Sequence, residues 1–225
     1  MKGKLYIVAT PIGNKEDITL RAISILENID IICAEDTRVT SKLLKLLNIP
    51  KKQLISINEY STENNIQKII SLINEGNNIA YVSDAGTPGV SDPGAVLVNM
   101  CRDNDIDIIP IPGVSAITAA ISVSGIRETP FIFYGFLPHK NGRKKILNEL
   151  LSYKQNIILY ESVHRFLKLL SEIKEIDINR QILICREITK IYEEIKFDNI
   201  SNIEEYYLKN KDKIKGEFVI IIKNT

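Results

Sequence analysis

The stretch YVSDAGTPGVSDPG, residues 81–94, joins an apolar run to a segment of helical periodicity. The preceding run NIAYV is typical of a buried parallel strand, and the following GAVLVNMCRD is typical of a helix. The stretch contains three glycines and two prolines, with Asp84, Ser91 and Asp92 among them. In open α/β sheets, ligands bind beyond the carboxyl ends of the strands, and glycine lets them approach the backbone. The stretch therefore predicts a ligand-binding loop in an α/β sheet.

Short β-branched runs alternate with helical segments through the first half of the chain. The strand-like runs are LYIVA, DIICA, LISI, NIAYVS and IDIIPI. This alternation predicts parallel strands joined by helical crossovers, with helices on both faces of the sheet. Thr19 and Gly76 stand where a helix start and a helix end are expected. We therefore expect an N-terminal α/β domain over residues 1–124 that carries the Gly/Pro-rich loops.

The second half of the chain has a different pattern. A polar break, SGIRETP, marks the expected joint, and QILICREI and KIYEEIKF follow later with few residues between them. Strands joined so tightly are expected to be antiparallel neighbours. Residues 125–225 therefore predict a C-terminal α/β domain with a mixed sheet.

Composition excludes several classes of protein. The 225 residues carry 29 Lys plus Arg and 28 Asp plus Glu, so a formal charge of +1 provides no overall attraction to nucleic acid or membrane. The three cysteines, Cys33, Cys101 and Cys185, form no C-x-x-C pair, which favours buried thiols in a reducing cytoplasm over disulfides or a metal site. The apolar runs are too short for a signal peptide or a membrane span. A cytoplasmic protein without a metal is expected.

Two further Gly/Pro loops are expected at the same sheet edge as residues 81–94. They are ATPIGN, residues 9–14, and PIPGVSA, residues 110–116. Neither G-x-G-x-x-G in the first turn nor a P-loop occurs, which disfavours dinucleotide and nucleoside triphosphate sites. A loop rich in Asp and poor in Lys suits a ligand with hydroxyls and a positive charge, such as S-adenosylmethionine. Ordinary turns are the simpler alternative, because Gly and Pro are common in any turn.

Segments spread over nearly the whole chain resemble the tetrapyrrole methylase-like, S-adenosylmethionine-dependent methyltransferases, and within them the branch that methylates small-subunit ribosomal RNA. The resemblance implies the two-domain tetrapyrrole methylase fold, with the cofactor in the cleft between the domains. It further implies a homodimer and methylation of a cytidine ribose 2′-hydroxyl. The segments are LYIVATPIGNKEDIT, AEDTRVT, YVSDAGTPGVSDPG, PIPGVSAITAAISVSG, FYGFLP, ILYESVHR, REITKIYEE and KGEFVIII.

The same resemblance implies which residues contact the cofactor. Those of the first domain belong to the three Gly/Pro loops, and two more come from the second domain. An Asx turn at Asp84 and a helix N-cap at Ser115 are the simpler interpretations of those two residues. The implied cofactor residues are Pro11, Asp84, Thr87, Ser115, Ala116, Tyr160 and Glu217.

Two polar clusters at strand ends are candidates for the chemistry. A ribose hydroxyl is a weak acid, so a base or a polarising cation near its oxygen is physically reasonable. YESVHR provides Glu161, His164 and Arg165, and AEDTR provides Asp36 and Arg38 beside Glu35. The alternatives are a helix cap for the first cluster and an internal ion pair for the second. The sequence leaves the proton acceptor open.

The densest basic run is LPHKNGRKK, which follows a predicted strand. Its Lys140, Arg143, Lys144 and Lys145 are expected to contact RNA phosphates, unless the run is only the solvated face of the next helix. A near-neutral protein with one basic patch is expected to prefer an assembled ribosomal particle to free RNA, because shape then adds to charge.

Two other functions compete with RNA methylation. A methyltransferase for a corrin precursor would share the fold and the cofactor but act on a small anionic macrocycle. A non-catalytic ribosome-assembly factor would keep the basic run without needing three ligand-shaped loops. Calorimetry with S-adenosylmethionine separates the assembly factor from both methyltransferase functions, because no binding leaves only the assembly role.

Overall fold

The computed structural model describes residues 2–58, 60–92, 94–126 and 130–223. The chain divides into two compact units, Met1–Ser115 and Ala116–Thr225. The joint expected at SGIRETP includes residues 127–129, which lie outside the described residues. The observed division falls before this joint, so residues 116–124 belong to the second unit.

The first unit contains a five-stranded sheet in the order β3-β2-β4-β1-β5, in which every pairing is parallel. The parallel α/β prediction is confirmed. Its strands are β1 (Leu5–Val8), β2 (Ile31–Ala34), β3 (Gln53–Ser56), β4 (Ile79–Val82) and β5 (Ile108–Ile111). Its helices are α1 (Leu20–Asn28), α2 (Thr37–Leu46), α3 (Glu63–Asn74) and α4 (Gly94–Asp103).

Helices cover both faces of this sheet, as the alternating pattern predicts. On one face, Leu26 of α1 and Leu44 of α2 pack in one apolar cluster with Ile32 of β2. On the other face, residues of α3 and α4 such as Ile69 and Leu97 pack in a second cluster with strand residues. Burial on both faces explains why β2 and β4 read as continuous apolar runs.

The local signals for helix ends also match the structure. The Thr19 hydroxyl accepts a hydrogen bond from the Ala22 amide at 3.1 Å and caps α1. Gly76 follows α3 with a φ of 103°, a left-handed conformation that favours glycine at a helix end. Thr19 therefore marks where the connection after β1 ends and α1 begins, and Gly76 follows the end of α3 in the connection to β4.

The second unit contains a mixed five-stranded sheet in the order β6-β7-β10-β8-β9. Only β6 and β7 pair in parallel, and β8 and β9 form the antiparallel hairpin predicted from their short connection. Its strands are β6 (Phe131–Phe136), β7 (Asn156–Ser162), β8 (Gln181–Arg186), β9 (Glu194–Asn199) and β10 (Glu217–Ile222). Its helices are α5 (Ala116–Ser122), α6 (Arg143–Ser152), α7 (Val163–Ile176) and α8 (Ile200–Lys209).

Helices also cover both faces of the second sheet, but unequally. Residues of α6, α7 and α8 share one large apolar cluster with the sheet, in which the ring of Phe166 stacks on that of Phe218 at 4.0 Å. The other face carries α5, whose Ala120 lies in one cluster with Ile158 and Leu183. This packing is the physical reason that α5 belongs to the second unit.

All three cysteines are buried and unpaired. Burial raises the pKa of Cys33 to about 12 and that of Cys101 to about 11, and burial with the nearby Glu193 raises that of Cys185 to about 12. Along the described ranges, no helix is both long enough and apolar enough to cross a membrane.

Candidate functional site

The three Gly/Pro loops of the first unit lie at one edge of its sheet, as predicted. They follow β1, β4 and β5, which are adjacent and parallel, so their carboxyl ends meet at that edge. The amide of Thr10 donates to the carbonyl of Gly86 at 2.9 Å, and the amide of Gly86 donates back to Thr10 at 3.0 Å. The hydroxyl of Thr87 donates to the carbonyl of Val114 at 2.8 Å. Hydrogen bonds therefore join the three loops into one rim.

Glycine is required on this rim for two different reasons. A Cβ added at Gly113 would lie 2.9 Å from the Cβ of Ala9, closer than real Cβ atoms approach one another. Gly86 and Gly89 have φ values of 79° and 91°, in the left-handed region that L side chains rarely adopt. Apart from Gly89 and its two chain neighbours, no heavy atom of the residues that the structure describes lies within 4 Å of a Cβ built at Gly89. The rim therefore presents backbone that a ligand can approach closely.

Asp84 and Asp92 have different roles in the loop of residues 81–94. The carboxylate of Asp92 accepts hydrogen bonds from the amides of Gly89 at 2.6 Å, Val90 at 3.1 Å and Gly94 at 2.9 Å, so it holds the shape of the loop. Asp84 is exposed, and its Oδ1 accepts from the amide of Asp36 at 3.0 Å. Burial of part of the carboxyl raises the pKa of Asp84 above its usual value. Asp84 is thus the aspartate of this loop that reaches the solvent side of the rim.

The loop after β2 joins the same rim, because β2 is the neighbour of β4. Besides the Asp36 contact, the Asp84 amide donates to the Glu35 carboxylate at 3.3 Å. The guanidinium of Arg38 binds the Asp36 carboxylate with Nη2 2.6 Å from Oδ2, and this pairing lowers the pKa of Asp36 to about 2. The internal ion pair considered for AEDTR is therefore present. A carboxylate so stabilised is a poor proton acceptor.

Pro11, Ser115 and Ala116 lie on the loops of this rim or at the helix that follows it, since Pro11 follows β1 and Ala116 begins α5. Their contact with a cofactor stays a prediction. Sequence reasoning did not single out Thr10, which makes both backbone bonds to Gly86 and whose hydroxyl donates to the Ser83 carbonyl at 3.4 Å. Its position before Pro11 in a Gly/Pro loop was the only available signal.

The two cofactor candidates of the second unit lie on adjacent strands. Tyr160 of β7 is partly buried against Phe133 and Phe136, with ring centroids 5.1 and 5.5 Å away. Burial, together with Glu217, raises the pKa of its phenol to about 12. The carboxylate of Glu217 accepts from the Lys190 ammonium at 2.8 Å. Cofactor contact by these two residues also stays a prediction.

The YESVHR cluster is largely enclosed in the second unit. The buried carboxylate of Glu161 lies 3.1 Å from Nη2 of Arg143 and 2.7 Å from Nη2 of Arg165. Arg165 also donates to the carbonyl of Leu137 at 2.7 Å, which ties the loop after β6 to the start of α7. Among the three candidates of this cluster, only His164 is exposed. The geometry therefore corrects the assignment of Glu161 as a catalytic group, because two guanidiniums close it off from solvent.

Arg143 requires a second correction. Its side chain is 2% exposed, and its Nε lies 2.8 Å from the Glu172 carboxylate while Nη2 binds Glu161. A guanidinium that is buried and shared between two carboxylates has no free face for a phosphate. The prediction that Arg143 contacts RNA is therefore wrong, because sequence proximity to exposed lysines does not reveal that the first residue of α6 points into the core.

The rest of the basic run is exposed around the end of β6. Its members are His139, Lys140, Lys144 and Lys145, which we call the basic surface. Lys144 lies 3.7 Å from the exposed Glu175 carboxylate, a pair that solvent screens. Among the residues with described positions, no group of three or more His, Cys, Asp and Glu side chains is placed to hold a metal ion.

Comparison with known families agrees with this architecture. Residues 4–204 match the family model "Tetrapyrrole (Corrin/Porphyrin) Methylases". Similar curated proteins are named ribosomal RNA small subunit methyltransferase I. The one from Borrelia garinii subsp. bavariensis is 44% identical over 98% of this chain and 99% of its own. The one from Thermotoga maritima is 43% identical over 98% of each chain, and the one from Bacillus subtilis is 44% identical over 99% of this chain and 76% of its own.

Solved structures share the fold at much lower sequence identity. A diphthine synthase has a TM-score of 0.76 at 13% identity, with 99% of this chain and 90% of that chain covered. A uroporphyrin-III C-methyltransferase from Thermus thermophilus, complexed with S-adenyl homocysteine, has a TM-score of 0.66 at 15% identity, with 98% and 97% covered. The family match covers most of the sequence, and the parallel first sheet and the mixed second sheet agree with it. The chain therefore belongs to the tetrapyrrole methylase family of methyltransferases.

Proposed function

We propose that this protein transfers a methyl group from S-adenosylmethionine to the 2′-hydroxyl of a cytidine ribose in small-subunit (16S) ribosomal RNA. The observation that carries the proposal is the rim of three loops joined by Thr10, Gly86 and Thr87, in a chain similar over its length to proteins named for small-subunit RNA methylation. The reaction is proposed to take place in the cytoplasm.

The rim suits the cofactor in charge and in shape. S-adenosylmethionine, when bound, supplies a methyl group already activated on a sulfonium, together with an amine and a ribose. The Asp84 carboxylate suits the positive charge and the hydroxyls, and the bare backbone at Gly86 and Gly89 allows close approach. We propose that Pro11, Asp84, Thr87, Ser115 and Ala116 hold the cofactor, with Tyr160 and Glu217 as further contacts.

Positioning is the main task that remains for the protein. Holding reacting groups in line is worth about 7–11 kcal/mol, whereas a general base adds about 10²–10⁴-fold. Among the candidates near strand ends, Asp36 is held by Arg38 and Glu161 is enclosed by two guanidiniums. We therefore assign His164, which is exposed at the start of α7, as the first candidate to polarise the ribose hydroxyl or accept its proton.

The basic surface supports an RNA substrate. Lys140, Lys144 and Lys145 are exposed beside one strand end, where their ammonium groups can reach phosphates. With a formal charge of +1 the whole chain adds little attraction. We propose that the substrate is the assembled small-subunit particle, where RNA shape supplements these contacts.

A homodimer is proposed from the second sheet. On the face that carries α5, Phe131 and Phe136 of β6 and Ile195 and Phe197 of β9 remain exposed. Ile195 and Phe197 are neighbours on this face of β9, and adjacent exposed apolar side chains of this kind mark a contact surface. Phe197→Asp is expected to yield monomers in analytical ultracentrifugation, and an unchanged dimer would remove this surface from consideration.

The function is tested by transfer of labelled methyl from S-adenosylmethionine to small subunits isolated from a strain that lacks this gene, followed by mapping of the nucleotide. Label on a cytidine ribose supports the proposal, and label on a base contradicts it. If calorimetry detects no binding of S-adenosylmethionine, a non-catalytic assembly role remains. Transfer to a corrin precursor but not to particles would instead favour a small-molecule methyltransferase.

Two sets of variants separate the cofactor from the RNA. Asp84→Ala is expected to weaken cofactor binding about tenfold or more, whereas Asp30→Ala, at the opposite end of the sheet strands, is not. Lys144→Glu with Lys145→Glu is expected to spare cofactor binding and reduce RNA methylation. Lys68→Glu with Lys154→Glu changes the same number of charges elsewhere and serves as the control.

A further inference from the structure

The connection between β8 and β9, residues 187–193, exposes two apolar side chains at its tip. We call this connection the hairpin loop. Ile191 is 94% exposed and Tyr192 is 70% exposed. Ile188 of the same loop is partly buried and packs against the apolar cluster that contains α5. The loop is therefore anchored to the sheet through Ile188 and presents Ile191 and Tyr192 to solvent.

A salt-bridge brace holds the hairpin loop in shape. The ammonium of Lys190 lies 2.9 Å from the Glu187 carboxylate and 2.8 Å from that of Glu217 on β10. The amide of Thr189 donates to the Glu193 carboxylate at 2.6 Å. Three acidic side chains around the tip are thus engaged by a cation or by backbone within the loop. The tip itself presents apolar surface.

The backbone of the loop is as closely specified as its side chains. Glu187 and Thr189 have φ values of 51° and 67°, a region uncommon for non-glycine residues. Gly216 has a φ of 82°, a left-handed conformation that L side chains rarely adopt, so glycine is favoured where β10 approaches the Glu187 carboxylate. A loop held this way loses little conformational entropy when its tip binds a partner.

The hairpin loop lies at the same edge of the second sheet as the basic surface and His164. Strand pairing makes β6, β7 and β8 run in one direction, so their carboxyl ends share that edge. With a strand spacing of about 4.8 Å, the end of β8 lies about 10 Å from that of β7 and about 14 Å from that of β6. Contacts at the loop and at the basic surface therefore fit one extended ligand.

The size of the tip decides between two kinds of partner. Without the β9 side chains Ile195 and Phe197 of the proposed homodimer surface, the one aromatic and one aliphatic side chain of the tip offer at most about 400 Å², whereas a stable protein interface buries about 800 Å² on each partner. A single nucleobase needs only one aromatic face on which to stack. The apolar tip beside lysines that suit phosphates favours RNA over a protein.

We propose that the hairpin loop binds an unstacked nucleobase of the RNA substrate, with Tyr192 stacked on the base and Ile191 against its edge. Lys190 is a positioning residue that holds the tip in its binding shape. The basic surface takes the phosphates of the same strand. This inference rests on the proposed function, because it requires that the substrate is RNA.

Stacking and phosphate contacts respond differently to salt. Loss of one stacked base lowers affinity about 5–100-fold, so Tyr192→Ala is expected to weaken binding to small-subunit particles by that factor. The slope of log affinity against log salt should not change, because no phosphate contact is lost. Lys144→Glu with Lys145→Glu should reduce that slope by about 0.7 for each lost contact to a single strand. Tyr192→Phe keeps the ring and should bind within about twofold of the unmodified protein.

The controls lie at the opposite edge of the second sheet. Tyr153 precedes β7 and Ile178 precedes β8, and both are exposed. Tyr153→Ala matches Tyr192→Ala in chemistry, and both it and Ile178→Ala should leave particle binding unchanged. Lys190→Met should weaken particle binding as Tyr192→Ala does, while calorimetric binding of S-adenosylmethionine by Tyr192→Ala stays normal.

The outcomes separate this inference from the function on which it rests. If the unmodified protein neither binds nor methylates particles, the proposed function fails and the inference fails with it. If the unmodified protein does both and Tyr192→Ala equals it, only the inference fails. The inference is also overturned if Tyr192→Phe loses as much affinity as Tyr192→Ala, or if Tyr192→Ala lowers the oligomer mass in ultracentrifugation, since the tip would then be a protein contact.

Discussion

The two units organise the carboxyl ends of their parallel strands in opposite ways. In the first unit, backbone hydrogen bonds between Thr10 and Gly86 and a close approach of Gly113 to Ala9 hold the loops together. In the second unit, buried charges do so, with Glu161 between Arg143 and Arg165. Loops joined by backbone hydrogen bonds leave a rim poor in side chains, which suits a small ligand. Loops joined by buried ion pairs expose lysine and histidine side chains, which suits a polymer such as RNA.

The difference also predicts how each region fails. The glycine rim is disturbed by a methyl group added at Gly113, because the Cβ of Ala9 already occupies that space. An edge held by buried ion pairs is disturbed when one partner is neutralised, because the other charges are then left buried without compensation.

The largest effect is expected at the buried charges of the second unit. Glu161→Gln keeps the shape of the side chain but leaves two guanidiniums without their shared carboxylate, which should lower the free energy of unfolding by about 3–5 kcal/mol. Urea denaturation measures the loss. Glu175→Gln, in an exposed pair, should change stability by less than about 0.5 kcal/mol. A loss below about 1 kcal/mol for Glu161→Gln would show that charge does not organise this edge.

A smaller effect is expected at the glycine rim. Gly113→Ala places a methyl group 2.9 Å from the Cβ of Ala9, and overpacking of this kind costs about 1–3 kcal/mol of unfolding free energy. Binding of S-adenosylmethionine should weaken as the loops separate. Ala9→Gly removes the atom that clashes, so the double variant should recover most of both losses. Failure of this rescue would mean that the rim is not held by the close approach of Gly113 and Ala9.

The pH dependence of stability tests the polar cluster around Glu194, the first residue of β9 after the hairpin loop. Burial alone would raise the pKa of Glu194, but hydrogen bonds from Lys213, Tyr206 and Tyr207 lower it to about 2. Because the folded pKa lies below the unfolded value of about 4.5, the carboxylate stabilises the fold above pH 4.5, and this stabilisation is lost as the pH falls toward 2.

Glu194→Gln should therefore cost about 1–2 kcal/mol at pH 7, and its deficit relative to the unmodified protein should shrink as the pH falls from 4.5 to 2. Urea denaturation at a series of pH values measures this. Glu205→Gln, whose exposed partner is Lys209, is the matched control with little expected change. A deficit that does not vary with pH would point to packing instead of charge.

The smallest difference between the two units is expected at the cysteines, which are buried in both. With thiol pKa values of about 12 for Cys33 and Cys185 and about 11 for Cys101, the folded protein should react with iodoacetamide at pH 8 far more slowly than the unfolded protein. Mass spectrometry of the labelled protein measures this. Rapid labelling of Cys185 alone would show that the second unit opens more readily than the first.

Sequence reasoning succeeded where the signal is local. The alternation of strands and helices, the antiparallel β8–β9 hairpin and the cap at Thr19 all depend on neighbouring residues, and the structure confirms them. The shared edge of the three loops also followed, since parallel strands place every such loop at one end. Predicting which edge carries the loops requires only the direction of the strands, and the helical crossovers between them determine that direction.

The errors arose where distant residues meet. Arg143 stands among exposed lysines in the sequence, but its position on α6 directs it to Glu161 and Glu172, which come 18 and 29 residues later. Residues 116–122 read as the last helix of the first half, yet they pack in the second unit against β7 and β8. Neither contact leaves a trace in the periodicity of its own segment.

The amino-acid sequence by itself determined the kinds of element, their order, the glycine loops and the family resemblance, because turn chemistry and hydrophobic period act over a few residues. Only the tertiary structure decided which charges are buried together and which loop tips reach solvent. Ion pairs such as Glu161 with Arg143, and the brace of Lys190 with Glu217, join segments that folding alone brings within hydrogen-bonding distance.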